Sequence, residues 1–351
     1  MRRNSRVVRI GGVKIGGAYP IAVQSMTKTD TRNVSETVSQ ISELEDAGCE
    51  IIRVAVPDRE AAEAIKEIKK RIRIPLIADI HFDPRLAMLS ILNGADKIRL
   101  NPSNIEDKEW IEKIARLANE RNVPIRVGAN LGSFRKKPDN VIFALVSTVL
   151  NEIRILNDAN FDNIVVSIKT SDVLQTIAAN RKIAEVIDYP IHLGVTEAGP
   201  LEESLIKSSA GIGVLLMEGI GDTIRYSISD KPIKEVEAAF TLLKSLHLRE
   251  RGITIVSCPT CGRCEIDLFS LVKRVKKDFG NVKVPVKVAI MGCVVNGPGE
   301  AKDADIGIAG GKKSGVIFKK GKIIKTVSEE NLYSEFKKEL EKLIEEKSNS
   351  S

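Results

Sequence analysis

From Tyr19 onward the chain alternates short β-branched runs with amphipathic stretches of helical period, and it does so eight times. The strand-like runs are Ile21–Gln24, Ile51–Val56, Leu76–Ile80, Lys97–Leu100, Ile125–Val127, Ile164–Ile168, Ile191–Val195 and Thr223–Ser227. Helix-like stretches fall between them, among them Val34–Ala47, Arg59–Arg71, Glu106–Arg121, Ser171–Ile187, Pro200–Leu216 and Ile233–Leu246. Asp58, Ser171 and Asp230 stand where helix-capping residues belong. Strict alternation implies a parallel sheet, because each helix carries the chain back to start the next strand in the same direction. Eight such units in about 230 residues predict an α/β fold of the (β/α)8 TIM-barrel type. An open doubly wound sheet is the alternative, but no Gly-x-Gly-x-x-Gly follows the first strand. Ahead of the barrel, glycine-punctuated Ile10–Gly17 reads as a short hairpin.

The alternation stops after Arg249-Glu-Arg-Gly252. A strand at Ile253–Ser257, a helix at Glu265–Lys277 and a strand at Lys287–Met291 follow, each bordering a cysteine loop. A hairpin around Lys320-Gly321 and a charged helix at Glu329–Glu346 complete a small α+β unit. The expected domains are therefore a substrate-binding barrel over residues 1–248 and a metal-carrying domain over 249–351, with Lys347–Ser351 a disordered tail.

Four of the five cysteines lie in the two loops Ser257-Cys-Pro-Thr-Cys-Gly-Arg-Cys264 and Met291-Gly-Cys-Val-Val-Asn-Gly-Pro-Gly-Glu300. A Cys-x-x-Cys pair sets two thiolates on one turn, and Cys293 brings a third from a distant Gly-rich loop. Soft sulfur ligands select zinc, copper(I) or iron–sulfur clusters. Cys258-x-x-Cys261-x-x-Cys264 has the spacing of ferredoxin runs, whereas a zinc ribbon wants a second pair that Cys293 lacks. Spacing favours an iron–sulfur cluster over structural zinc and leaves open whether Cys264 or Glu300 is the fourth ligand. Cys49, between Gly48 and an apolar strand, reads as a core residue.

Barrel enzymes place their chemistry at the C-terminal ends of the strands. Those ends carry Gln24, Arg53, Asp79 and His81, Arg99 and Asn101, Arg126 and Asn130, Lys169, Glu197, and Arg225 with Ser227. Residues two apart share a face, so Asp79 and His81 point the same way and can form an acid/base or orienting pair. Four arginines and a lysine converging on one mouth would repel one another without an anion, and guanidinium forks suit phosphate oxygens. A diphosphate, or two phosphates, is the expected guest. Glu197 either neutralises these cations or donates a proton. His192 and His247 read as structural.

The chain carries 54 Lys and Arg against 47 Asp and Glu, a net charge of +7 spread along its length, with 4% aromatic residues. That balance suits an anionic small molecule better than a nucleic-acid groove, which would need a basic stripe and stacking platforms. No apolar run approaches a membrane span, and none follows Arg2-Arg3 as a twin-arginine export signal requires. Cysteines without evident pairing point to a reducing cytoplasm.

Several segments together resemble a known family: Val23-Gln-Ser-Met-Thr27, Ile77-Ala-Asp-Ile-His81, Ile98-Arg-Leu-Asn-Pro102, Arg126-Val-Gly-Ala-Asn130, Gly194-Val-Thr-Glu-Ala-Gly199, and both cysteine loops as far as Ala301. The family is 4-hydroxy-3-methylbut-2-enyl diphosphate synthase of the methylerythritol phosphate route to isoprenoids, in its bacterial two-domain form. The resemblance implies reductive ring opening of 2-C-methyl-D-erythritol 2,4-cyclodiphosphate, with two electrons delivered through a [4Fe–4S] cluster from flavodoxin or ferredoxin. It implies a ferredoxin/sulfite-reductase-like second domain, in which Cys258, Cys261, Cys293 and Glu300 hold the cluster. It assigns Arg53, Arg99, Arg126, Lys169, Arg225 and Ser227 to the diphosphate, with His81 and Asn130 nearby and Glu197 as the proton-delivering acid. Cys264 departs from the pattern of many members. The family architecture is a homodimer in which one subunit's cluster covers the other's barrel. Two rivals remain, a phosphate-binding barrel lyase with a structural zinc domain and a zinc-ribbon nucleic-acid binder, and metal content separates all three.

Overall fold

The computed structural model describes residues 2–80, 83–101, 104–105, 107–134, 136, 138–293, 299 and 301–349. It divides into two compact units, Met1–Arg249 and Glu250–Ser351. No helix among the described residues is long and apolar enough to cross a membrane.

The first unit begins with an antiparallel hairpin, β1 (Val8–Ile10) and β2 (Val13–Ile15), followed by eight strands in one parallel sheet. These are β3 (Ala22–Met26), β4 (Ile51–Ala55), β5 (Leu76–Asp79), β6 (Lys97–Arg99), β7 (Ile125–Ala129), β8 (Ile164–Ile168), β9 (His192–Leu193) and β10 (Thr223–Ile224). The order is β8-β7-β6-β5-β4-β3-β10-β9, and a parallel bridge from Val166 to Ile191 joins the two ends, so the sheet closes into the expected barrel. Helices α1 (Val34–Ala47), α2 (Arg59–Lys69), α3 (Pro84–Leu92), α4 (Lys108–Arg121), α5 (Val141–Asp158), α6 (Val173–Val186), α7 (Leu201–Met217) and α8 (Ile233–Ser245) follow β3 to β10 in turn. Outward residues such as Val23, Ile52, Ile98 and Ile125 form one apolar layer with these helices. Inward residues Ala22, Ile51, Ile77 and Val165 pack instead against Val8, Ile10 and Ile15, so the hairpin stoppers the N-terminal end of the barrel. Arg2 and Arg3 are part of the same construction: both pair with Asp222, which precedes β10.

Three cap expectations divide. Asp58 Oδ1 accepts from Ala61 N at 3.0 Å and caps α2 as read from the sequence. Asp172, not Ser171, caps α6 through Gln175 N. Pro232 precedes helix α8 at the N-cap and there is no side-chain cap, so Asp230 lies outside that role. The Pro ring fixes φ for a first turn without needing a capping oxygen. Strands β9 and β10 are also shorter than expected, and the released residues become the loops that carry Thr196, Glu197 and Ser227.

The second unit is a five-stranded sheet, β11 (Ile253–Ser257), β12 (Val286–Met291), β13 (Ile306–Gly311), β14 (Ser314–Lys319) and β15 (Lys322–Ser328), in that order. The first three strands are parallel and the last three antiparallel. Helices α9 (Leu268–Phe279) and α10 (Glu329–Asn349) bury Val275, Phe279, Phe336 and Leu340 against it. Helix α10 extends through Lys347 to Asn349, because Lys347 Nζ reaches Asp305 at 2.9 Å and Pro285 O at 3.1 Å; the expected disordered tail is ordered that far.

Candidate active site

The inward period-two positions of the barrel strands meet in one cavity of about 150 Å³ at their C-terminal ends. Its wall includes Arg53, Arg99, Arg126, Lys169 and Arg225, the five cations read from the strand ends, together with Asp79, Asn130 and Ser227. Register explains the convergence: Asp79 lies beside Arg99 and Arg99 beside Arg126 on adjacent parallel strands.

Each cation is tethered differently. Arg53 Nε donates to Met26 Sδ at 3.0 Å and lies 3.9 Å from Asp79 Oδ2, while Arg99 Nε lies 3.8 Å from Asp79 Oδ1. Arg126 Nη1 donates to Ser167 Oγ at 2.8 Å, and its Nε and Nη2 have no partner among the described residues. Arg225 Nε lies 3.3 Å from Glu235 Oε2. That carboxylate, 1% exposed on α8, is held in turn by Ser25 Oγ and Ile228 N. Lys169 Nζ is 2.9 Å from His192 Nε2, whose Nδ1 is 2.7 Å from Thr223 Oγ1.

Five basic side chains thus face two carboxylates in a largely buried space. Burial pulls Arg53 down to about 10, with Asp79 opposing and Arg225 and Arg99 adding to the fall. Burial first, and then neighbouring cations, hold Arg126 and Lys169 well below their ordinary ranges. His192 is likewise held well below its ordinary value by burial and by Lys169, so neutral imidazole is the form that faces the lysine. Such a site is short of negative charge. An oxyanion with several acceptor oxygens supplies what Arg126 Nε and Nη2 lack. The cavity also depends on residue 128 having no side chain: a Cβ at Gly128 would sit 2.2 Å from both Ser167 O and Ser167 Oγ.

Other positions behave differently. His81 lies outside the described residues. Gln24 and Asn101 are buried but do not line the cavity. Glu197 is exposed at φ 51°, one residue after Thr196 of the wall, and the ion pairs around the arginines use Asp79 and Glu235 instead. Ser167 and Glu235 were not read from the sequence as site residues, and His192, read as structural, lies against Lys169 and Thr223. Ser167 was accessible, since it alternates with Val165 and Lys169 on one strand, whereas Glu235 reaches inward from a helix and left no periodic trace. His247 follows α8, away from the wall residues in sequence, at φ 54°.

In the second unit the two cysteine loops leave adjacent parallel strands, β11 and β12, with Ser257 registered to Ile290. Gly292 N donates to Cys258 Sγ at 3.3 Å, Cys264 N to Cys261 O at 2.9 Å, and Glu265 N to Gly292 O at 2.9 Å. A Cβ at Gly292 would fall 2.6 Å from Cys264 Sγ and 3.4 Å from Cys258 Sγ, so glycine there keeps the sulfur cradle open. None of the five cysteines is in a disulfide. Cys49 is buried, as expected, and burial pushes its thiol up to about 12, which removes it from thiolate chemistry. Cys258, Cys264 and Cys293 are half-buried and Cys261 is exposed, while Glu300 lies outside the described residues. Among the described residues no three His, Cys, Asp or Glu side chains gather as a single-ion site. The donor set, thiolates on open Gly- and Pro-containing turns with a backbone N–H on sulfur, suits a soft metal group.

Comparison with known proteins agrees at both levels. Solved structures of dihydropteroate synthases from Stenotrophomonas maltophilia and Yersinia pestis superpose with TM-scores of 0.54 and 0.52 at 14% and 15% identity. Each covers 69% of this chain and 98% of its own, and at that identity the likeness is one of barrel fold alone. Sequence relatives run the full length. Proteins named 4-hydroxy-3-methylbut-2-en-1-yl diphosphate synthase (flavodoxin) are 55% identical in Caldanaerobacter subterraneus, over 99% of both chains. Those of Fusobacterium nucleatum and Anoxybacillus flavithermus are 50% and 51% identical, covering 99% and 98% of this chain and 99% and 96% of theirs. Residues 5–240 match the family model of the GcpE TIM-barrel domain and residues 254–342 that of the GcpE protein C-terminal domain. The chain therefore belongs to the GcpE family in both its barrel and its C-terminal domain.

Proposed function

We propose that the barrel cavity binds the diphosphate of 2-C-methyl-D-erythritol 2,4-cyclodiphosphate. The chain opens that ring reductively and dehydrates the product to 4-hydroxy-3-methylbut-2-enyl diphosphate. The observation that carries the reading is the excess of cations over carboxylates around one cavity, with two guanidinium nitrogens of Arg126 unpartnered among the described residues. Arg53, Arg99, Arg126, Lys169, Arg225 and Ser227 grip phosphate oxygens, and Asn130 adds a polar contact at the rim. Asp79 keeps the Arg53 and Arg99 forks apart and oriented. As the C–O bond to the ring phosphate breaks, charge grows on the oxygens this cage already holds, which lowers the barrier most where the donors are fixed in advance. In this reading Glu197, beside Thr196 of the wall, delivers the proton, and His81 is a candidate acid/base residue on its sequence pattern alone.

Cys258, Cys261, Cys293 and Glu300 would hold a [4Fe–4S] cluster, which when bound supplies the two electrons, received from flavodoxin or ferredoxin. Cavity and cysteine loops belong to separate compact units, so the reading includes a homodimer with the site completed between subunits, working in a reducing cytoplasm.

Anaerobically purified protein should be brown, contain iron and sulfide in equal amounts, and convert the cyclodiphosphate when supplied with reduced flavodoxin. Colourless, zinc-loaded protein with full activity would refute the reading and favour a barrel lyase with a structural zinc.

A further inference from the structure

A buried lysine of the barrel strands does not line the cavity. Lys97 lies on β6, two residues before Arg99. Its register partner is Ile77 of the apolar stopper, so its side chain points into the barrel, while its neighbour Ile98 packs in the helical layer. Lys97 is fully buried, and its Nζ has no hydrogen-bond partner among the described residues. Gln24, registered with Ile51 of the same stopper, also points inward, and neither of its amide atoms has a partner among the described residues. These two polar groups occupy the layer between the apolar stopper and the cage.

The charges that bear on Lys97 are Arg126 from β7 and Arg53 from β4, and Lys97 in turn bears on His192 of β9. Among the described residues no carboxylate bears on Lys97, and the two at the cage, Asp79 and Glu235, are engaged with Arg53, Arg99 and Arg225. A buried ammonium that feels two guanidiniums and has no partner among the described residues is disfavoured in its charged form. Burial and those two arginines indeed hold Lys97 well below the ordinary lysine range.

We propose that Lys97 is a proton-linked floor of the anion site: uncharged in the ligand-free protein, it takes up a proton when a diphosphate fills the cage above it. The proposal rests on the reading of that cage as the diphosphate site. An anion placed among Arg53, Arg99 and Arg126 removes the repulsion that keeps the amine neutral and favours its charged form. By reciprocity the protonated amine tightens the grip on the anion. Lys169 and His192, also buried and depressed, take part in the same uptake, so the share of Lys97 has to be separated by substitution.

The test is calorimetric titration of oxidised holoenzyme with the cyclodiphosphate, without reductant so that nothing turns over, in buffers of different ionisation enthalpy near neutral pH. The dependence of heat on buffer counts the protons exchanged. Wild-type protein should take up protons on binding. Lys97→Met, never charged, and Lys97→Arg, always charged, should each take up fewer by about one proton per site. A residue with a purely structural role would not give the same deficit from opposite charges. Binding by the wild type with no proton uptake overturns the proposal, as does an undiminished count in either folded variant. Absence of any binding heat in the wild type would instead remove the diphosphate reading of the cage.

Discussion

Replacing Arg126 with Lys tests the cage at its most exacting contact. Arg126 is 3% exposed, its Nη1 is committed to Ser167 Oγ at 2.8 Å, and its Nε and Nη2 remain for a ligand. An ammonium keeps the charge but offers a point rather than a fork, so it serves Ser167 or one phosphate oxygen and cannot close a two-toothed grip. One lost hydrogen bond to a charged group amounts to about 1.5–3 kcal/mol. At about 1.4 kcal/mol per decade, that weakens binding roughly 10- to 150-fold. Calorimetry of the oxidised holoenzyme with the cyclodiphosphate measures it directly. Visible absorbance should be unchanged, since no cysteine loop is touched. Arg126→Met goes further: it removes a buried cation from beside Arg53 and Arg99, so the ligand-free protein should melt higher while binding fails. Binding by Arg126→Lys within about twofold of wild type, against the expected decade or more, would refute the assignment of Arg126 to the phosphate.

Serine at Cys258, Cys261 or Cys293 should abolish bound iron and activity together, read by iron analysis of anaerobic protein. Cys264→Ser should keep both, whereas Glu300→Ala should lose iron; the opposite pattern would make the site all-cysteine. Gly128→Ala forces a methyl to within 2.2 Å of Ser167 backbone and hydroxyl, costing about 1–3 kcal/mol of stability, and denaturant unfolding would show it. Lys97 and Lys169 are protonated in the unfolded chain below the ordinary 10.5 but depressed in the fold, so folding releases protons. Their penalty on ligand-free stability is therefore greatest at lower pH and shrinks as pH climbs through the window from the depressed value to 10.5. The gain in Tm of Lys97→Met over wild type should narrow accordingly as pH is raised, and a gain that widens would contradict the depressed amine.

The barrel was legible because its signals are periodic. Strand β8 and helix α1 have the bounds expected from the sequence, and five strand-end cations share one cavity because parity along a strand dictates facing. What escaped was non-periodic or tertiary. Strand β13, Ile306-Gly-Ile-Ala-Gly-Gly311, is too rich in glycine to read as a strand. It is one because a Cβ at Gly307 would meet the Phe318 ring at 2.4 Å and one at Gly310 the Ile266 side chain at 2.5 Å. Close packing chose residues that local propensity disfavours. Glu235 and the His192 contact escaped for a related reason: each meets its cation from a separate secondary-structure element, 10 and 23 residues away, and no periodic pattern marks the partnership. Glu197 was legible as a carboxylate in the right loop, but its exposure follows from the left-handed turn at that residue.

The way the cations are held explains why the cage is both costly and useful. Had each arginine been matched by its own carboxylate, an entering phosphate would have to displace those carboxylates and would gain little. Instead Arg53 leans on a thioether, Arg126 on a hydroxyl and Lys169 on a neutral imidazole, partners that fix direction without cancelling charge. Asp79 is shared between two arginines at 3.9 and 3.8 Å, too far for a tight hydrogen bond to either. The ligand-free barrel therefore bears uncompensated positive charge, and the packed hairpin stopper and helical layer must hold it closed. An anion relieves that repulsion on entry, so affinity here draws on strain already present in the fold. Burial and the same excess of cations hold Lys97 and Lys169 well below the ordinary lysine range, which links the charge state of the floor to occupancy of the cage.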